Sequence, residues 1–332
     1  MNEIPGNSDE SIIKLDAKDR KLLFALDFNS RDSYSQLSKH VGLSKQGTEY
    51  KINSLIKKGV IKGFYPVINV PKLGYHYCRL LVTLHNVTAE ERHTIIDYLK
   101  ENQKVFWLFE MHGMFDLLIA VWTKTISEFR EFRTEFQQEF GPFIKQILPT
   151  VTTDVVHYQN RYLTGEKSTK EVHVAESQQV VNIDDTDKKI LQVLSDDARV
   201  SLVKASELLR LSPKVIAYRI KRMEREGLIS GYRPVINHNK IGYIYCKVFI
   251  ALSNITKGGL MAIKEFIKAS LYVIYGIEGI GSEGDIEIEM MLPSETHLFS
   301  FIDKLRFSFP KMIGGYKSVF FKDTLKVKYL PF

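Results

Sequence analysis

Residues 211–237, LSPKVIAYRIKRMEREGLISGYRPVIN, restate residues 43–69, LSKQGTEYKINSLIKKGVIKGFYPVIN. Placing Asp184 on Asp16 extends the match at an offset of 168 residues as far as Thr88 and Thr256. One extra residue in the second copy then moves the offset to 169 and brings Asp285 to Asp116. A chain that repeats itself once over nearly its whole length folds as two copies of one unit.

The unit opens on helices. Asp16 and Asp19, echoed by Asp184 and Asp187, are acidic residues three apart, suited to a capping box and to the helix dipole. Leu22, Leu23 and Leu26, echoed by Ile190, Leu191 and Leu194, supply the inner face of a first helix. A second helix is predicted at about 34–41 and 202–209. Gly42 ends it in the first copy, and Arg210 stands there in the second. Ser44 and Ser212 cap a third helix, which stops at Gly59 and Gly227. Ile216, Ile220 and Met223 recur at i, i+4, i+7 and mark its buried face. Its other face carries Lys214, Tyr218, Lys221, Arg222 and Arg225 in one copy, and Gln46, Tyr50, Asn53, Ser54 and Lys57 in the other. Short helices with a basic, hydrogen-bonding outer face suit the major groove of DNA. The strand-like run that follows, ending Pro-Val-Ile-Asn, is predicted to be a wing.

Beyond Gly74 and Gly242 the pattern changes to strands. Cys78, Leu80, Val82 and Leu84 alternate on one face, which also predicts Cys78 and Cys246 as small buried strand residues. Thr88 to Glu91 opens a helix with Ile95, Ile96 and Leu99. Strands follow at about 104–111 and 116–122, then a helix with Phe129, Phe132, Phe136 and Phe140 in one stripe, then a strand at 151–158. The order is βαββαβ. The fold class is α+β: two winged helix-turn-helix domains and two ferredoxin-like domains in tandem. The expected boundaries are a disordered leader at 1–14, helical heads at 15–72 and 183–240, ferredoxin-like domains at 73–160 and 241–332, and a linker at 161–182.

Charge points the same way. The chain carries +7 in all. Residues 15–72 hold eleven Lys and Arg against five Asp and Glu, and residues 183–240 hold twelve against eight. Excess cation on the two heads is an electrostatic footprint for phosphate. No apolar run approaches the ~18 residues of a membrane span, and the first residues lack a signal peptide's basic and apolar regions. A cytoplasmic protein with no membrane partner is expected.

The arrangement resembles the Lrp/AsnC family of transcriptional regulators. The carrying residues are Asp184-x-x-Asp187-x-x-Ile-Leu, Leu211-Ser-Pro, Arg219-Ile220, Glu226-Gly-Leu-Ile-x-Gly231 and Lys240-Ile-Gly242, with matching residues in the first copy. The resemblance implies winged helix-turn-helix heads, effector domains that self-associate, and a small amino-acid effector at an interface between effector domains. It adds Arg219 and Lys51 to the DNA-contacting residues, although Lys51 replaces the family's usual Arg. Gly113-Met-Phe-Asp116 resembles the family's effector motif, which makes Gly113 and Asp116 the expected effector-binding residues. Two departures stand out: the double copy, and a second loop, Gly281 to Asp285, one residue longer than the first.

Other chemistries have weaker signals. Gly279-x-Gly281-x-x-Gly284 matches a dinucleotide pattern, but the alternating Asp285-Ile-Glu-Ile-Glu-Met follows where a helix is required. The cysteines have no partner at metal-ligand spacing, so no metal and no cofactor are expected. His112 has no counterpart in the second copy and reads as structural. The chain is therefore expected not to be an enzyme. An Lrp-fold tetrapyrrole (sirohaem-type) decarboxylase and an amino-acid sensor without DNA binding are the rival readings. Last, Glu287 and Glu289 stand where the first copy has Leu118 and Ala120. Carboxylates are rarely buried unpaired: either this face is simply wet, or the two meet cations across the sheet interface, with Arg79 and Lys247 on the adjacent first strands as the candidates.

Overall fold

The computed structural model describes residues 12–175 and 179–332. Most of the expected leader, residues 1–11, lies outside them. Residue 13, near its end, is tied down, its amide donating to Lys240 O at 2.7 Å. The first head packs α1 (Ala17–Leu26), α2 (Tyr34–Val41) and α3 (Lys45–Lys57) around Leu22, Leu23, Leu26, Leu37, Ile52 and Leu55, all 2% exposed or less. Asp16 and Asp19 form the full capping box. Gly42 ends α2 in the left-handed region at φ +67°.

The first effector domain runs β2 (His76–Leu84), α4 (Ala89–Glu101), β3 (Val105–Gly113), β4 (Leu117–Thr123), α5 (Ile126–Phe140) and β5 (Ile144–Tyr158), after β1 (Ile61–Ile68) of the head. A further strand, β6 (Glu171–Ala175), pairs with β5. The second copy repeats the order: α6 (Asp185–Asp196), α7 (Leu202–Leu209), α8 (Pro213–Arg225), β7 (Ile229–Ile236), β8 (Ile244–Leu252), α9 (Lys257–Ala269), β9 (Val273–Ile280), β10 (Ile286–Leu292), α10 (Glu295–Ser308) and β11 (Ile313–Val327). Arg210 adopts the left-handed conformation that Gly42 takes in the first copy, at φ +54°. That conformation costs a non-glycine residue ~1–2 kcal/mol.

The strand after each third helix is the expected wing, and it does not stand alone. β1 and β7 pair with one another, antiparallel, as a two-stranded sheet between the heads. Ile61, Phe64, Val67 and Ile68 of β1 are buried there. The segment expected as a linker, residues 161–182, contains ordered elements: Arg161, Tyr162 and Leu163 form a buried 3-10 turn, and β6 extends the sheet. The last strand of the first effector domain starts seven residues earlier than expected, at Ile144.

That longer strand explains how the halves join. The first part of β5 pairs with β2 of its own copy, and its second part pairs with β9 of the other. β11 likewise pairs with β8 and then with β3. The strands therefore close in the order β2-β4-β3-β11-β8-β10-β9-β5 and back to β2. Helices cover the outside, and Phe129, Phe132, Phe136 and Phe140 of α5 pack on the first sheet as the stripe predicts.

Between the facing sheets lies a buried ion network. Arg79 donates to both carboxylate oxygens of Glu287, at 2.6 and 2.8 Å. Lys247 sits 2.9 Å from Glu287 and 3.0 Å from Glu289. Ser282 Oγ donates to Glu287 at 2.5 Å, and the Tyr245 hydroxyl donates to Glu289. The candidate partners meet, and the extra residue in the second loop belongs to a segment that delivers a further donor. The flanking cations, Arg79 first, hold the Glu287 carboxyl far below the usual range against the opposing pull of burial.

Candidate nucleic-acid interface

Each recognition helix is fixed at its N-terminus and along its inner face. Its N-terminus is capped by Ser44 or Ser212, whose side chain accepts from Gly47 N or Val215 N. Its inner face is buried through Ile52 and Leu55, or through Ile216, Ile220 and Met223. The C-terminus of α8 is held in addition from the other copy, where Lys72 Nζ donates to Glu226 O at 2.7 Å. A cation there also complements the helix dipole. The heads brace each other reciprocally. Arg31 donates to Ala198 O at 2.5 Å, and its counterpart Arg199 donates to Ser30 O.

The candidate contact residues then divide. Gln46, Tyr50, Asn53 and Lys57 on α3 are exposed, as are Lys214, Tyr218, Lys221 and Arg225 on α8. Tyr50 is 75% exposed and Tyr218 63%, although both are large and partly apolar. Among the described residues, none of the four cations in these two sets has an acidic partner within ion-pair reach. They form two outward faces able to donate and accept hydrogen bonds.

Lys51, Arg219 and Arg222 point elsewhere. Lys51 Nζ bonds Asp16 at 2.8 Å and Asp19 at 2.7 Å. Arg219 bonds Asp184 at 2.7 Å and Asp187 at 3.0 Å, and Arg222 bonds Asp187 at 2.5 Å. Asp187 is fully buried. These three cations lock the third helix of each head to the capped start of its first. The signal was available: positions 51 and 219 lie three residues after buried Thr48 and Ile216, on the flank of the inner face.

The expected effector loop is engaged with its own fold. Asp116 accepts from Leu84 N at 2.8 Å, and Asp285 accepts from Leu252 N at 2.6 Å in the second copy. Both carboxylates close the same turn. Gly113 adopts φ +128°, where a Cβ would sit 3.2 Å from Ser318 O. His112 beside it is exposed rather than satisfied in a core. The dinucleotide-like glycines are packing residues: Gly281 has φ +84°, and a Cβ on it would lie 2.5 Å from Pro149 O. Cys78 and Cys246 are fully buried, as expected. No group of metal-ligating side chains occurs among the described residues. No helix among them is long and apolar enough to cross a membrane.

Two heads of this shape define a winged helix-turn-helix DNA-binding protein. The sequence model of the winged helix-turn-helix DNA-binding family matches residues 15–62 and 183–230. The proline dehydrogenase transcriptional activator of Rhizobium radiobacter is 35% identical over 120 residues, covering 35% of this chain and 75% of that protein. The regulatory protein AsnC of Haemophilus influenzae is 38% identical over 65 residues, covering 20% of this chain and 43% of AsnC. The chain belongs to the Lrp/AsnC family of DNA-binding transcriptional regulators, as a tandem duplication. Similarity to a solved structure extends over the double unit. The siroheme decarboxylase NirDL has a TM-score of 0.62 at 14% identity, covering 93% of this chain and 92% of NirDL. This match corrects the expectation that the chain is not an enzyme: its full two-copy architecture is one that an enzyme also uses.

Proposed function

We propose that one chain works as a pseudo-dimer that reads an asymmetric stretch of duplex DNA and responds to a small ligand. The observation that carries this reading is the pair of unequal, outward helix faces held in fixed relation by β1 and β7. Gln46, Tyr50 and Asn53 present amide and hydroxyl groups suited to adenine edges. Lys214, Tyr218, Lys221 and Arg225 present cations suited to guanine O6 and N7 or to phosphate. The half-sites therefore differ, and their centres lie about one helical turn apart, ~34 Å. Selection from a random duplex library tests this. Two unlike half-sites are expected, and perfect palindromes would contradict it.

A second reading has one observation in its favour, the fold shared with siroheme decarboxylase NirDL over both copies. Siroheme supplied to the purified protein and followed by mass spectrometry decides it. Loss of carboxyl groups would establish catalysis, and unchanged siroheme would exclude it.

A further inference from the structure

A cleft of about 350 Å³ opens on the helix side of the second effector sheet, between α9 and the strands β5, β6 and β9. That volume lies within the usual range for small-ligand sites of roughly 300–1,000 Å³. Buried Val156 and Tyr158 of β5, Ile267 of α9, and Ile286 and Ile288 of β10 give it an apolar floor. Its rim is charged, with Asp154, Glu171, Glu265 and Glu278 facing Lys264, Lys268 and His173.

What the cleft takes follows from these charges. Both lysines are already paired: Lys264 lies 2.6 Å from Glu278, and Lys268 lies 3.1 Å from Glu171. His173 Nδ1 lies 2.8 Å from Asp154. Glu265 is exposed and has no basic partner within ion-pair reach among the described residues. An incoming carboxylate would therefore meet no unpaired cation, whereas an ammonium would meet carboxylate that is not neutralised. The negative charge also converges on one point of the floor. Burial first, and then Glu171, push the Tyr158 hydroxyl up to about 12, with Asp154 and Glu265 acting the same way and Arg161 opposing them. Finally, the two copies differ here. Leu108 stands at the position of Gly276 and is buried in the core beneath α4. Gly276 instead leaves room for Tyr158, whose hydroxyl would lie 3.3 Å from a Cβ. On the first sheet, Lys326 donates to Asn102 O at 2.6 Å, at the end of α4.

We propose that this cleft binds a small organic cation, a primary ammonium on an apolar chain with no carboxylate. The chain lies on Val156, Ile286 and Ile288, and the ammonium sits among Tyr158, Asp154 and Glu265. An α-amino acid is disfavoured because its carboxylate would have to draw a lysine from its partner or stay unpaired. Any effect of this ligand on DNA rests on the regulatory reading above. Its binding is measured with no DNA present, so either can fail without the other.

Hexylamine, hexanoate and norleucine share a six-carbon chain and differ in charge. In calorimetric titrations of the intact chain at one ionic strength, hexylamine is expected to bind saturably. The other two should bind at least about ten-fold more weakly, the worth of one hydrogen bond to a charged group. Glu265→Gln should weaken hexylamine by about three-fold, as for an exposed ion pair, and leave Tm unchanged. Adding Asp154→Asn should bring the loss to about ten-fold or more. Glu139→Gln, which removes an exposed carboxylate of α5, should change nothing. No saturable binding of hexylamine, norleucine or hexanoate binding equally well, or equal effects of Glu139→Gln and Glu265→Gln would each overturn the proposal.

Discussion

Arg219 and Lys221 are two residues apart on one helix and do different work. Arg219 neutralises buried Asp187 and exposed Asp184, whereas Lys221 faces outward without an acidic partner. Arg219→Ala is expected to lower stability by about 1–3 kcal/mol, because Asp187 keeps its burial and loses part of its compensation. Lys221→Ala should leave Tm within error and reduce the salt dependence of DNA binding by about one counterion. Denaturant melts and salt titrations of the two variants check this. Acid adds a second test. The Asp184 carboxyl is held down to about 2, first by the hydrogen bond from Arg219 and then by the Asp187 amide. Its value in an unfolded chain is ~3.9. The folded pKa is the lower one, so this stabilisation is complete above pH ~4 and disappears as the pH falls through about 2. Acid unfolding of Arg219→Ala should lack that part of the pH dependence.

β10 is the element whose sequence is hardest to place on a sheet and whose structure explains it best. Glu287 is 2% exposed and is held by Arg79 and Lys247. Glu287→Leu leaves two buried cations sharing one carboxylate, and should cost about 3–5 kcal/mol. Arg79→Leu combined with Glu287→Leu keeps the Lys247–Glu289 pair and restores neutrality. Most of the loss should return, giving a coupling of about 2 kcal/mol or more in a double-mutant cycle. This network was legible because charged residues interrupt an otherwise apolar alternation, and Arg79 and Lys247 are the lysine and arginine on the first strands of the two effector domains. The helices were legible for a similar local reason, since the 3.6-residue period of Leu22, Leu23 and Leu26 needs no distant information. Three features were not. Pro149 obscured the first half of β5, because proline argues against a ladder although Leu80 pairs with it. The partner of β1 lies about 170 residues away, at a range where alternation specifies a face and no neighbour. Arg219 reads as one more cation on a basic helix until the start of α6 is seen beneath it.

At the scale of the whole molecule, the two copies have diverged so as to fit each other. The first effector sheet paired with itself would bury two Arg79 side chains with no carboxylate opposite. The second paired with itself would bury four carboxylates against two lysines. Only the unlike pair is neutral, which favours closure within one chain over pairing with another's equivalent sheet. The heads are joined as firmly, by β1 with β7 and by Arg31 with Arg199. On the proposed reading, one chain offers DNA two unlike heads at a fixed separation.

The affinity of the intact chain for duplex DNA as a function of salt tests that claim most directly. The exposed cations Lys57, Lys214, Lys221 and Arg225 should each displace counterions, so log K should fall linearly with log salt at a slope of roughly −3 to −4. That slope should be shared between the heads, falling by about one when Lys57 is replaced and by about two when Lys214 and Lys221 are. An affinity that is flat between low and moderate salt, or a slope untouched by these replacements, would contradict the account.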